Sequence, residues 1–266
     1  MRSLKRAALA LAAALIFPVA HAATTDLPSS VSQGGLVIGH TTPGTRVAIA
    51  GKPVRVGNDG TFVFGAGRDE QGPIDVTVGG SHHAVTVTPR DWPIERVNGV
   101  PPKTVNPPPD IAQRIQREQA EVVAARNRDD SREDFAKGFI WPVTGRISGR
   151  FGNQRIYNGD PKAPHSGMDI AVPEGTPVKA PADGIITFAK PDLYLTGGTV
   201  LLDHGFGLSS NFLHLSRIDV KVGEQVHQGQ VIGAAGKTGR ATGPHVHWGF
   251  NWFGTRLDPL LLPGIR

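Results

Sequence analysis

The alternation of apolar and polar positions divides the chain into four stretches. Residues 1–22 open with Arg2, Lys5 and Arg6, continue as an apolar run from Ala7 to Val19, and end in Ala20-His21-Ala22. A basic start, a short apolar run and a small-x-small end predict a secretory signal peptide cleaved after Ala22. The run is short for a membrane span. Residues 23–88 carry short runs at Leu36–Ile38, Arg46–Ala50, Val54–Val56, Thr61–Phe64, Ile74–Val78 and Ala84–Val87. Turn signals at Pro43-Gly44, Asn58-Asp59-Gly60 and Gly79-Gly80 separate them. Runs of this length between turn residues predict strands, and their density predicts a small β-sandwich. The Asn-Asp-Gly turn predicts a hairpin between its flanking strands.

Residues 89–138 read as a connector. Val100-Pro101-Pro102 and Pro107-Pro108-Pro109 are stiff and extended. Asp110 is placed to cap a helix. Ile111, Ile115 and Val122 share one face, and Arg114–Glu118 and Arg117–Glu121 stand at ion-pair spacing. These features predict a helix near 110–128 lying against one or both flanking units. In residues 139–266 strands are expected at Asp169–Val172, Gly184–Ala189, Thr199–Asp203, Ser209–His214, Val231–Ala234 and His245–Phe250, with a hairpin turn at Asp183-Gly184. The fold class is therefore mainly β: an N-terminal sandwich, a helical connector and a C-terminal antiparallel sheet.

Composition narrows the chemistry. The chain has 28 basic and 23 acidic residues; without the signal's three basic residues, 25 stand against 23, a net of +2. That is too small to indicate a nucleic-acid partner. The absence of Cys removes disulfides and any lipid-modified cysteine, and limits metal ligands to His, Asp and Glu. No integral membrane segment is expected after signal cleavage.

Six of the ten histidines lie beyond residue 164. His245-Val246-His247 places two imidazoles on one face of a predicted strand, because strand side chains repeat every second residue. His165-Ser166-Gly167-Met168-Asp169 offers a nitrogen at a loop end and a carboxylate at a strand start. With a histidine from His245 or His247 this makes a three-ligand set with a fourth position open, the arrangement of catalytic zinc. His214 ends a strand and matters only if that strand lies beside the others. His40, His82 and His83 read as surface or strand-end residues. His204 reads as a hydrogen-bonded turn residue and His227 as exposed. Arg155 and Tyr157 precede His165 and are candidates to line a substrate groove.

The segments HSGMD, FLHLS and TGRATGPHVHWGF occur in order, joined by APADGIITFA, TVLLDHGFGL and VGEQVHQGQVIG. From about residue 139 to 262 the chain resembles the lysostaphin/LytM-type zinc endopeptidases of the cell wall. The resemblance implies an open groove and one Zn²⁺ per chain, held by His165, Asp169 and His247. It implies that His245 and His214 form the acid/base and transition-state pair, with His245 expected as base and His214 as oxyanion stabiliser. It implies a peptidoglycan peptide substrate, in a diderm host the D-alanine to meso-diaminopimelate link, and action in the periplasm or outside the cell. The family often carries Tyr two residues before the FLHLS histidine; here Phe212 stands there. Some relatives have lost zinc ligands and only regulate other wall enzymes, whereas all five positions are kept here. A zinc-holding activator and a peptidase of Gly-rich proteins are the alternatives. The N-terminal domain would position the wall, cover the groove or bind a regulatory partner.

Overall fold

The computed structural model describes residues 24–265; the expected signal peptide lies outside them. Two sheets build the N-terminal unit. One joins Thr25–Asp26, Leu36–Thr41 and Thr61–Gly65; the other runs Ser30–Ser32, Ser81–Thr88, Ile74–Val78, Val47–Ile49 and Lys52–Val54. Alternation sorts their faces: Ile74, Val76 and Val78 are buried while Asp75 between them is exposed. Val37, Ile49, Phe62, Phe64, Val76 and Val85 fill the space between the sheets.

Two turns differ from expectation. The strand expected at Val54–Val56 lies at Lys52–Val54 and folds back on Val47–Ile49. Its turn, Ala50-Gly51, has φ of 46° and 76°. Because Val54 already pairs with Val47, Asn58-Asp59-Gly60 makes no hairpin and instead carries the chain from one sheet to the other. Asp59 holds that turn by accepting from the Thr61 amide at 2.8 Å. Asp183-Gly184 likewise makes no hairpin: Pro177–Lys179 before it pairs with Val231–Ala234, while Gly184–Leu193 pairs with Gly197–Gly205.

The connector helix spans Pro109–Arg126, with Pro108 at its cap position and no capping side chain. Asp110 is therefore not the cap; it lies in the first turn, where its charge meets the positive end of the helix dipole. Arg114 pairs with Glu118 at 2.6 Å. The expected Arg117–Glu121 pair is replaced by Glu121 with Lys190, also at 2.6 Å, because the helix lies on the sheet and offers Glu121 a neighbour there. Val122 and Ala125 pack on Phe188, Leu193 and Leu201. An unexpected strand, Ile94–Val97, pairs in parallel with Gln154–Tyr157. No described helix is long and apolar enough to cross a membrane.

The main C-terminal sheet is ordered Arg146–Gly149, Met168–Ala171, His245–Trp252, Leu208–Leu215, Gly197–Gly205, Gly184–Leu193 and Gln225–Val226. Met168, Ile170, Val246, Trp248 and Phe250 alternate into the core beneath it, which turns Asp169, His245 and His247 to the opposite face. The N-terminal unit docks beside this sheet. Leu36 and Val63 join the C-terminal core, and the Arg90 guanidinium meets the buried Asp258 carboxylate at 2.8 Å.

Candidate active site

Strand register assembles the site. Asp169 pairs directly with His247 on the neighbouring strand, and His247 in turn stands opposite Leu213, next to His214. His165 approaches from its loop, held by a hydrogen bond from its amide to the Asn153 carbonyl at 2.9 Å. The result is a tight triangle. His165 Nε2 lies 2.9 Å from His247 Nδ1 and 3.0 Å from Asp169 Oδ1, and His247 Nδ1 lies 2.9 Å from that oxygen. These three residues are buried and form one metal-capable group.

The protons do not suffice to link these atoms. His165 Nδ1 donates to the Arg150 carbonyl, so in the neutral imidazole Nε2 carries a lone pair. Burial pushes His247 down to about 4. One proton at most is left for three facing acceptors. A single cation satisfies all three, and a tetrahedral zinc site at ~2.0–2.1 Å needs donors about 3.3 Å apart, close to the spacing here. The residues present fit a zinc ion.

His214 and His245 flank this triangle with ring centroids 4.7 Å apart. His245 Nδ1 donates to the Gly243 carbonyl and His214 Nδ1 to the Thr238 carbonyl, each at 2.8 Å. In their neutral forms both therefore present a lone pair at Nε2; that of His245 lies 3.8 Å from Asp169 Oδ1. His214 adopts a left-handed φ of 65°, a strained backbone for a non-glycine residue that surrounding packing must hold. Burial, with His245 and His247 nearby, pushes its pKa down to about 3. Phe212, two residues earlier, turns into the core and does not line the site.

Arg155 does more than line a groove. Its Nη2 reaches Asp169 Oδ2 at 2.5 Å, and its Nη1 donates to the Tyr157 hydroxyl at 2.8 Å. The guanidinium thus occupies one carboxylate oxygen and turns the other toward the histidines. Gly149 permits this approach: a Cβ there would sit 2.5 Å from Asp169 Oδ2 and 2.8 Å from Arg155 Nη2. The sequence hint was the place of Arg155 and Tyr157 before His165, read as a loop; they stand instead on the strand Gln154–Tyr157, and the contact with Asp169 depends on tertiary placement. Outer partners of this kind typically carry ~10–100-fold in metal affinity. Arg155→Gln should weaken zinc binding by about that factor, read by competition with a chromophoric chelator.

The connector walls the site. Glu95, Val97 and Val100 share a cavity with His214, His245 and Asp169. Opposite, Gln119 of the helix and Arg256 share another with His165, His214 and His247.

The other histidines stay outside. His82 pairs with Asp75 on the surface at 3.0 Å, and His227 is exposed. His204 is not in a turn: it is buried within the Gly197–Gly205 strand, bonded to the Asp183 carbonyl and the Ser210 hydroxyl. Burial pushes its pKa down to about 4. Between there and the unfolded value of ~6.5 the unfolded chain binds more protons, so His204's contribution is full above ~6.5 and is lost as pH falls toward 4. Urea melts of metal-free protein should show a shallower acid loss for His204→Asn, by up to ~1.4 kcal/mol per pH unit.

Comparison with known proteins follows the same segments. The profile of peptidase family M23 matches residues 163–259, a span that contains His165, Asp169, His214, His245 and His247. The peptidoglycan DD-endopeptidase ShyA of Vibrio cholerae is 40% identical over 126 residues, covering 46% of this chain and 28% of that protein. The DD-carboxypeptidase/endopeptidase Mpg of Neisseria meningitidis is 42% identical over 97 residues, covering 36% and 22%. The chain spans about a quarter of the length of the curated relatives it matches first. A crystal structure described as a peptidase M23 of Pseudomonas aeruginosa superposes with a TM-score of 0.64 at 35% identity, covering 86% of this chain and 93% of that one. With nearly the whole of that structure matched, N-terminal unit and connector included, the chain belongs to peptidase family M23.

Proposed function

We propose that this protein is a zinc endopeptidase that hydrolyses peptide cross-links of bacterial peptidoglycan, with one zinc held by His165, Asp169 and His247. The convergence of three electron-pair donors within 3.0 Å of one another, beside two imidazoles with free Nε2 atoms, carries the reading. When bound, zinc supplies a Lewis acid that polarises a carbonyl and makes a hydrolytic nucleophile available near neutral pH.

The chain's own residues handle the proton. With Nδ1–H committed to backbone carbonyls, His245 and His214 each accept at Nε2. We assign first acceptance to His245, the nearer to Asp169. The expected oxyanion role of His214 needs a proton first: burial holds it as an acceptor, and it becomes a donor at Nε2 only once protonated there. The proton that His245 takes up at Nε2 is the one it returns to the leaving amine. The names of the Vibrio relatives support a DD cross-link, and we read the bond as D-alanine to meso-diaminopimelate, cut in the periplasm or outside the cell. We read 139–266 as the catalytic unit, 23–88 as a sandwich that positions the wall or meets a regulatory partner, and 89–138 as the connector that shapes the groove.

Digestion of purified sacculi, read by mass spectrometry, tests this. Cross-linked peptides should give uncross-linked products, and a chelator should stop their release. Binding to sacculi without any release would favour a non-cutting wall protein instead. Faster cleavage of elastin than of sacculi would move the substrate to Gly-rich proteins.

A further inference from the structure

Beside the zinc-binding triangle, under the Pro109–Arg126 helix, lies a second cavity whose chemistry the hydrolysis does not use. Its apolar wall includes Val122, Leu195, Leu201 and Leu213, and its polar floor includes Asn211 and Asn251. Arg126, from the last turn of the helix, and Arg256, from the Thr255–Leu257 strand, both line it. Arg256 also borders the cavity holding His165, His214 and His247, as do Gln119 and Ser166, so the two cavities are one continuous groove.

Both guanidiniums lack partners among the described residues. Arg126 is half-buried, and its Nε is shut off from water with nothing to donate to. Arg256 stands exposed at the mouth and forms no ion pair. Glu118, which also lines the cavity, is already engaged by Arg114 at 2.6 Å and by the Tyr194 amide at 2.8 Å. Arg256 borders a further depression carrying Asp69 and Glu70 and pairs with neither. Burial, with Arg256 nearby, lowers the Arg126 pKa to about 10. Two cations facing one pocket without a counter-charge are an incomplete ion pair, and an arginine fork is shaped to take a carboxylate with two hydrogen bonds.

We propose that Arg126 and Arg256 form a carboxylate subsite of the groove, which takes the terminal carboxylate of a peptide strand ending in a small apolar residue. The apolar wall accepts the short side chain, Asn211 and Asn251 face the peptide backbone, and the two guanidiniums take the carboxylate. The assignment of this carboxylate to a wall peptide rests on the function proposed above; the anion site itself does not.

The probe is N-acetyl-D-alanine, with N-acetyl-D-alaninamide as control, titrated into the folded full chain. The readout is the Arg126 Nε–Hε NMR signal, assigned by its loss in Arg126→Gln. The acid should shift that signal saturably and the amide should not. Arg256→Gln, on an exposed strand position, should weaken the acid's affinity about tenfold or more. An equal response to acid and amide, no saturable shift, or an unchanged affinity in Arg256→Gln overturns the proposal. This measurement needs no cleavage, so the two readings fail separately. A chain that binds the acid but releases nothing from sacculi keeps the subsite and loses the enzyme. A chain that digests sacculi without distinguishing acid from amide keeps the enzyme and loses the subsite.

Discussion

His245→Ala should leave zinc uptake intact and slow cross-link hydrolysis by ~10²–10⁴-fold, the usual contribution of a positioned acid or base. The separation of the two effects follows from the geometry. His245 Nε2 is 3.8 Å from Asp169 Oδ1, whereas the three triangle atoms stand 2.9–3.0 Å apart. Its removal therefore spares the donor set and deletes a proton acceptor. Metal analysis of the purified variant together with product release from sacculi checks both halves. A variant that keeps full activity would show that His214 alone can carry the proton; loss of metal would show that His245 is a ligand.

Asp169→Ala should have the larger consequence, because one side chain serves two networks. Its Oδ1 completes the donor triangle and its Oδ2 neutralises Arg155. Without it, zinc affinity should fall by more than the ~10–100-fold expected of an outer partner, and cleavage should fall below detection. The protein should also lose stability, because Arg155, only 15% exposed, keeps just Glu95 at 3.4 Å as a counter-ion. Stranding one member of a buried pair costs ~3–5 kcal/mol, less whatever Glu95 recovers. Urea denaturation of metal-free Asp169→Ala and of Asp169→Ala/Arg155→Met tests the coupling. The double variant should regain part of the lost stability; if it is no better than the single variant, the ion pair does not matter to folding.

The legible parts of this protein were those set by local rules. Period-two alternation located Ile74–Val78, a short apolar run located Val231–Ala234, and strand periodicity placed His245 and His247 on one face. What could not be read were features decided by partners distant in sequence. Ile94–Val97 is a strand only because Gln154–Tyr157 lies alongside it; its four residues carry no strong pattern of their own. Asn58-Asp59-Gly60 and Asp183-Gly184 have the composition of hairpin turns, yet their flanking strands were claimed by other sheets. Glu121 had two basic neighbours within reach, and docking of the helix chose Lys190 over Arg117. In the site, residue type and spacing indicated His165, Asp169 and one of His245 and His247 as candidate ligands, and only the family resemblance singled out His247; the contact of Arg155 with Asp169 required a glycine at 149 whose meaning appears only in three dimensions.

The strand Ile94–Val97 has a practical bearing on how the enzyme can be cut into parts. It belongs by sequence to the linker but by hydrogen bonding to the catalytic half, and Glu95 sits in register with Arg155. Excising residues before 139 would strip one wall from the groove and leave the amides of Gln154–Tyr157 bare along that side, an invitation to self-association. It would also take Arg90 from the buried Asp258 and Leu36 and Val63 from the shared core. A minimal fragment or a chimaera that aims to transplant this specificity therefore has to begin upstream of Ile94, and the boundary suggested by homology alone falls inside the working part.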